Sequence, residues 1–472
     1  MSSTPFSPGG GFAALPSKIR KLPQTARSVA LSALLLVDAG LSAQQALATA
    51  FANVQEVRAG QGGRTADAHA PGSLSAVDRN LCSELVYGFL RTEIRIAFIL
   101  SRVLPRPQSL PQPLQYVLGL AVYGLLFQDR VPDHAAVFTA VDTARALYGQ
   151  GLAKVANGAL RSVQRLADAP LQHDFYLTDG AATHGMQQLA LFYSLPLWIV
   201  GHWSKHYGHA AAVQLAQRSF ERPWSALRVN AHHANARAVL AALIASGGEP
   251  VGLWGCAFAP GALPAVVLGK PLAEWQVCGV VSYQSAGSQM VLERLGLLGW
   301  NKPVWDVCAG FGGKTVALLE QGCDVSLATD RSRQRLSGLP GQCQRLALPV
   351  PATALIDAVN PPVAGWGGHM LVDAPCSGLG VLARRPDIRR RPQQQAIEHE
   401  QLQQTMLERL VPLLQPGCEL AYMTCTLRVQ ENEKQLERLV RQHPDVRLCR
   451  QWQTSHDHPW LEGMYGAVLR KV

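Results

Sequence analysis

The sequence predicts a multidomain chain: an all-α domain first, a small α+β domain in the middle, and an α/β domain with a mostly parallel sheet last. Three observations predict it. The 472 residues exceed what one core usually holds, since a domain runs to roughly 150 residues. Between Thr25 and Leu166, apolar residues recur three or four apart and β-branched runs are scarce, which is helical patterning. From Val304 onward, short apolar strands alternate with helical stretches, the signature of βαβ units. Hydrophobic residues make up 48% and charged residues 16%. That composition fills cores and excludes a disordered chain.

Residues 1–22 are rich in Ser, Pro and Gly and carry Lys18, Arg20 and Lys21, so they read as a flexible arm. Those cations precede the apolar run Ser28–Val37 and imitate a signal peptide. The run starts late, closes at Asp38 and continues into a helical pattern, which rejects that reading. Residues 23–168 form the all-α domain. Within it, Asn53–Ser73 reads as a loop, helices resume near Ala76 and at Leu114, and Pro132 suits the first turn of the next. Residues 169–280 read as a connector with short helices, then strands in SALRVN, AVVLG and VCGVVSYQS around a helix at Ala234–Ala245. Residues 281–472 form the α/β domain, with strands in VWDVCA, DVSLATD, HMLVDA and CELAYMT.

The longest apolar run, Val117–Phe127, falls short of the roughly 20 residues that cross a bilayer. The ten cysteines show no CxxC pair and no regular spacing. Such scatter suits a reducing cytoplasm and predicts neither a metal site nor a disulfide scaffold. A formal net charge of +10 points to a polyanionic partner, most often nucleic acid.

The richest chemistry lies in Val304–Thr315, where a strand ends in a Gly-rich turn and opens a helix. Such a turn lets a ligand approach the backbone. A dinucleotide fingerprint starting at Gly310 would need glycine at 315, where Thr315 stands. A phosphate loop ending Gly313-Lys314-Thr315 would need glycine at 308, where Cys308 stands. S-adenosylmethionine is the third candidate, because its cation and ribose suit carboxylates at strand ends. Asp306, Asp330, Asp357 and Asp373 all lie in or just after strand candidates, and this favours it. Any one of them could instead cap a following helix.

Two cysteines, Cys376 in Asp-Ala-Pro-Cys-Ser-Gly and Cys425 in Thr-Cys-Thr, also follow strands, where open α/β sheets bind ligands. A lone cysteine is usually inert packing, but two beside an acid suggest covalent catalysis. Carbon 5 of cytosine is too weak a nucleophile to take a methyl group. Thiolate addition at carbon 6 makes it enamine-like and splits one hard step into easier ones. An acid such as Asp373 can stabilise that adduct at N3 and the exocyclic amine.

In order and spacing, DVCAGFGGKT, ATD, LVDAPCSG and MTCTL resemble the nucleolar-protein/Sun family of RNA cytosine-5 methyltransferases. The segments Val77–Arg91, Val131–Arg145 and Val155–Arg161 resemble the NusB-like RNA-binding domain, a fusion characteristic of the bacterial RsmB/Sun subgroup, which modifies 16S rRNA. LFYSLPLWIV and Leu227–Asn230 also resemble that subgroup. The resemblance implies a class I, Rossmann-like methyltransferase domain using S-adenosylmethionine. It implies Cys425 as nucleophile and Cys376 as the cysteine that assists release, with Asp373 beside them. It implies cofactor contacts from Cys308, Ala309, Gly310, Phe311, Gly312, Gly313 and Lys314, and from Asp330, Asp357 and Asp373. Gly310-Phe311 replaces the Ala-Pro usual in the family turn, Gln284-Ser285-Ala286 departs from a common Gln-Asp-Ala, and Gly338 and Pro340 should break the helix after Asp330 early.

Arg384, Arg385, Arg389, Arg390 and Arg391 follow the Pro-Cys-Ser loop and read as an RNA-phosphate contact. Lys18, Arg20, Lys21 and Arg27 are weaker candidates for the same role. Trp198, Trp203 and Tyr207 lie near helical spacing and read as core. The expectation is a monomeric, cytoplasmic 16S rRNA cytosine-5 methyltransferase. The alternatives are the same chemistry on tRNA, or a non-catalytic NusB-like antitermination factor.

Overall fold

The computed structural model describes residues 15–59, 74–128, 132–177 and 184–472. The chain divides into two units, one comprising Met1–Ser204 with Arg385–Arg390 and the other Lys205–Arg384 with Arg391–Val472. The division falls after Ser204, later than the expected boundary at residue 168.

The first unit is helical: α1 (Ser17–Arg20), α2 (Ala26–Asp38), α3 (Ala43–Ala59), α4 (Ala76–Val103), α5 (Gln112–Phe127) and α6 (Asp133–Arg165). Capping boxes start three of them, Thr25 with Ser28 for α2, Ser42 with Gln45 for α3 and Ser75 with Asp78 for α4. Pro111 and Pro132 stand just before α5 and α6, where a missing N–H costs nothing. Gly149, at φ 79° and ψ −175°, breaks α6. One core joins these helices through Leu31, Leu34, Leu85, Leu114 and Val122.

Two expectations need correction here. The arm does not extend to residue 22, because Leu15, Ile19 and Leu22 are buried at 5, 3 and 7% exposure. Their apolar spacing outweighs the Ser/Pro/Gly composition around them. Of the loop expected over Asn53–Ser73, the stretch up to Ala59 is helix, the last turns of α3. Residues 1–14 of the arm, 60–73 of the loop and Val131 lie outside the described residues.

The second unit holds two larger sheets. The smaller comprises β1 (Ser225–Val229), β2 (Glu249–Val251), β3 (Gly255–Phe258) and, after a short hairpin of β4 (Val266–Val267) and β5 (Lys270–Pro271), β6 (Val281–Tyr283). It is antiparallel in the order β2-β3-β1-β6 and packs on the helix Ala236–Ala245. Its last strand lies beyond residue 280, so the α/β domain starts slightly later than expected.

The larger sheet comprises β7 (Val304–Asp306), β8 (Val325–Asp330), β9 (Ala352–Leu355), β10 (His369–Asp373), β11 (Glu419–Thr424), β12 (Val446–Gln453) and β13 (Tyr465–Lys471). Its order is β12-β13-β11-β10-β7-β8-β9, parallel from β11 to β9, with β13 antiparallel between β11 and β12. Cores cover both faces, one around Leu318 and Leu371 and the other around Trp305 and Tyr422. This explains the continuous apolar runs of β10 and β11. The chain steps from β7 to β9 towards one edge, then returns to β10 on the other flank of β7. Such a switch point opens a crevice at the carboxyl ends of its strands. As expected, the helical stretch after Asp330 breaks, into Arg333–Leu336 and Leu339–Arg345. Among the described residues, no helix is long and apolar enough to cross a membrane.

Candidate active site

Beyond β7 the chain turns through Cys308–Gly312 into the helix Gly313–Leu319. Gly310 at φ +57° and Gly312 at φ +81° make this turn possible. A Cβ on Gly312 would lie 2.4 Å from Leu339 Cδ1. Asp330, ending β8, fixes the turn from the side. Its Oδ2 accepts the N–H of Gly310 at 3.0 Å and its Oδ1 that of Ser332 at 2.7 Å. Phe311 projects at 61% exposure, while its carbonyl accepts Gln342 Nε2 at 2.8 Å.

Asp306 is buried at 1% exposure; its Oδ2 accepts the Thr315 hydroxyl at 2.6 Å. Its Oδ1 is a buried acceptor with no hydrogen-bond partner. Burial lifts this carboxyl to about 7, against the pull of Thr315. Burial and nearby carboxylates also push the Cys308 thiol upward, which makes it a packing residue rather than a nucleophile. Ala309 is buried beside it, its N–H donating to the Thr329 carbonyl at 2.8 Å. Asp357 is exposed beyond β9, and its Oδ1 accepts the Val359 N–H at 3.1 Å. β9 is paired with β8, with Leu355 opposite Asp330.

The neighbouring strands bring the cysteines together. β10 and β11 run parallel with Asp373 opposite Met423, so the loops beyond them leave the sheet side by side. Cys376 and Cys425 meet with their sulfurs 3.3 Å apart. Lys314 Nζ donates to Asp373 Oδ2 at 2.6 Å, which engages the lysine that a phosphate loop would aim at its ligand. Burial works against the Lys314 ammonium, but the Asp373 charge outweighs it and raises the lysine. The Cys376 thiol donates to Cys425 and lowers it, against burial and Asp373, while Lys314 assists. The same hydrogen bond, followed by burial, raises Cys376 well above the ordinary thiol range. Of the pair, Cys425 therefore ionises first. All ten cysteines are free thiols.

The arginine run departs from expectation. Arg384 donates to Glu462 Oε1 at 2.6 Å and Arg385 to Asp387 Oδ2 at 3.1 Å. Arg389, 4% exposed, donates to the carbonyls of Tyr193 and Ser194, and burial lowers it to about 9. Arg390 makes a bidentate pair with Glu93 at 2.7 Å and reaches Asp38 Oδ1 at 2.6 Å. All four guanidinium groups are engaged by protein partners, Arg384 and Arg385 with 36% of their side chains exposed, and Arg391 is half-buried. A charge run in one dimension does not reveal carboxylates that fold against it from far away in the chain. Trp203 is core as expected, at 1% exposure.

Sequence reasoning missed the supports. Arg228 on β1 pairs with Glu320 at 2.5 Å, both buried, and donates to the Gly313 carbonyl at 3.0 Å. Glu431 and Asn432 lie under the cysteine loops. Standing before the helix Glu433–Gln442, Asn432 reads as a helix cap, yet its side chain makes no capping bond. Among the described residues, no cluster of three or more His, Cys, Asp or Glu could hold a metal ion.

A family described as 16S rRNA methyltransferase RsmB/F matches residues 299–461, and the NusB family matches residues 24–165. The chain is 34% identical over 391 residues to the probable ribosomal RNA small subunit methyltransferase B of Synechocystis, covering 79% of this chain and 83% of that protein. It is 30% identical over 384 residues to the Bacillus subtilis protein of the same description, covering 79% and 82%. The ribosomal RNA small subunit methyltransferase B of Erwinia tasmaniensis is 32% identical over 389 residues, covering 80% and 85%. Among solved structures, PH0851 shares the fold, with a TM-score of 0.70 and 19% identity over 97% of this chain and 99% of that one.

Proposed function

Given that the chain belongs to the RsmB/F family of 16S rRNA methyltransferases and carries a NusB-family domain, we propose that it methylates carbon 5 of a cytosine in 16S rRNA through a covalent bond from Cys425 to carbon 6. The observation that carries this reading is the pair of sulfurs 3.3 Å apart, with the Lys314–Asp373 pair at the adjoining strand end. S-adenosylmethionine fits the acids around the Gly-rich turn. Asp330 is set to receive ribose hydroxyls, and the unpartnered Oδ1 of Asp306 suits a cationic ligand. When bound, it supplies an electrophilic methyl group.

The chain's own residues do the rest. The Cys425 thiolate adds to carbon 6 while N3 takes up a proton relayed through Asp373 from the Lys314 ammonium bonded to it; the same carboxyl accepts from the exocyclic amine, and the N3 proton returns by this route when Cys425 leaves. Carbon 5 then becomes nucleophilic and takes the methyl group. Once the Cys425 sulfur is bonded to carbon, the anion that held the Cys376 proton is gone. Cys376 can then lose its proton to solvent and accept the carbon 5 proton, and the pair of electrons left behind expels Cys425. A target cytosine inside a helix has to be unstacked first.

Methyl transfer from labelled S-adenosylmethionine to 16S rRNA and to tRNA, followed by bisulfite sequencing, tests the proposal. Transfer to a 16S cytosine is expected, with Cys425→Ala inactive and Cys376→Ala accumulating an RNA–protein adduct on denaturing gels. Normal methylation by Cys425→Ala would end the covalent scheme. Transfer to tRNA alone would move the substrate.

A further inference from the structure

Two buried side chains grip the loops that carry the paired thiols. Glu431 and Asn432 are both 0% exposed, in the turn that follows Cys425. Glu431 Oε2 accepts the N–H of Ser377, the residue after Cys376, at 2.8 Å, and also Gln403 Nε2 at 3.0 Å. Gln403 donates in turn to the carbonyl of Pro375, the residue before Cys376, at 2.8 Å. The first thiol is thereby held on both sides.

Asn432 holds the second thiol in the same way. Its Oδ1 accepts the Thr424 hydroxyl at 2.6 Å and its Nδ2 donates to the Thr426 carbonyl at 2.9 Å. Ser377 and Thr426 close the frame with a hydroxyl–hydroxyl bond of 2.9 Å. A buried carboxylate is expensive unless charge and hydrogen bonds compensate it. Arg428 Nη1, 3.7 Å from Glu431 Oε1, supplies the charge. Such an arrangement beneath a reactive pair fits support of its geometry better than filling of a core.

We propose that Glu431 and Asn432 are positioning residues that clamp the two loops so that the Cys376 and Cys425 sulfurs stay in contact. Their catalytic consequence rests on the roles given above to those cysteines. Glu431 acts through Cys376 and so through release; Asn432 acts through Cys425 and so through adduct formation.

Thiol capture by diamide tests the clamp with no RNA or cofactor present. Diamide takes two electrons and two protons from a neighbouring thiol pair and leaves a disulfide, so its rate reports how closely the sulfurs approach. In the full chain, the Cys376–Cys425 disulfide, mapped by mass spectrometry, is expected to form fastest among the ten thiols. Glu431→Ala and Asn432→Ala should each slow it about tenfold, the size expected from losing one or two buried hydrogen bonds. Glu431→Gln, which keeps an acceptor for the Ser377 N–H, should restore most of the rate. In turnover, Glu431→Ala should accumulate covalent RNA and Asn432→Ala should form it slowly, a split that general destabilisation would not produce. If either alanine variant fails to fold, Thr426→Val, which removes the hydroxyl bridge at similar volume, carries the same expectation of slower capture. Capture at the wild-type rate in the folded variants overturns the clamp. Slowed capture together with a fully active Cys425→Ala would leave the clamp standing and remove the chemistry. Unchanged capture with an inactive Cys425→Ala would do the reverse.

Discussion

A thiol is a poor nucleophile at neutral pH unless something stabilises its anion, and for Cys425 that something is another thiol. The Cys376 S–H lowers Cys425, with Lys314 assisting. Removing this donor in Cys376→Ala should shift the pH midpoint of Cys425 alkylation upward, towards the ordinary thiol value of about 8.5. An unmoved midpoint, read by peptide mass spectrometry, would assign the effect elsewhere. Asp306 gives a second expectation. Its carboxyl holds a proton up to about 7 in the folded chain, whereas the unfolded chain releases it near pH 3.9. Between those values the folded state binds more protons, so this group makes stability fall as pH rises and adds no further slope above the upper value. Asp306→Asn should flatten that fall in ligand-free protein, as followed by urea denaturation at stepped pH. Both residues were visible in the sequence as types at strand ends. Their ionisation was not, because it depends on neighbours supplied by other strands.

Between elements, the decisive contact joins β1 to the helix that follows the Gly-rich turn. Arg228 forms a buried bidentate pair with Glu320, at 2.5 and 3.1 Å, beyond the far end of that helix, and reaches Gly313 at its first turn. Gln284 donates to the same carbonyl at 3.1 Å. Arg228→Met leaves Glu320 buried without its partner and should cost about 3–5 kcal/mol, with weaker binding of S-adenosylmethionine by titration calorimetry. Replacing both members, Arg228→Met with Glu320→Leu, should recover much of the stability. No recovery would place the cost in packing rather than in the charge left behind. The strands β7, β10 and β11 were legible because burial on both faces makes them nearly unbroken apolar runs ending in Asp or Thr, whereas β8, interrupted by Ser326, was legible from its closing Ala-Thr-Asp. β12 was not, since its sequence Val-Arg-Leu-Cys-Arg-Gln-Trp-Gln is that of a largely exposed edge strand and reads as loop. The four-residue helix α1 was hidden by the Ser, Pro and Gly around it.

For the molecule as a whole, a net charge of +10 still suits a polyanionic substrate, but the arginine run beyond Cys376 is not where that charge is free. Arg390→Ala should lower the melting temperature by removing a partner of Glu93 and Asp38, at about 2 kcal/mol. It should leave the salt dependence of RNA binding unchanged. A salt slope reduced by about one unit would instead count one lost phosphate contact. The order of strands in the larger sheet has a further consequence. β13 is made after every strand it joins, yet it lies directly against the strand that leads to Cys425. Until residues 465–471 are made and paired, that strand is an open edge, and the turn bearing Cys425 lacks one of its walls. A copy of this chain in which β13 has not yet docked is therefore expected to be inert, even with both cysteine loops already made.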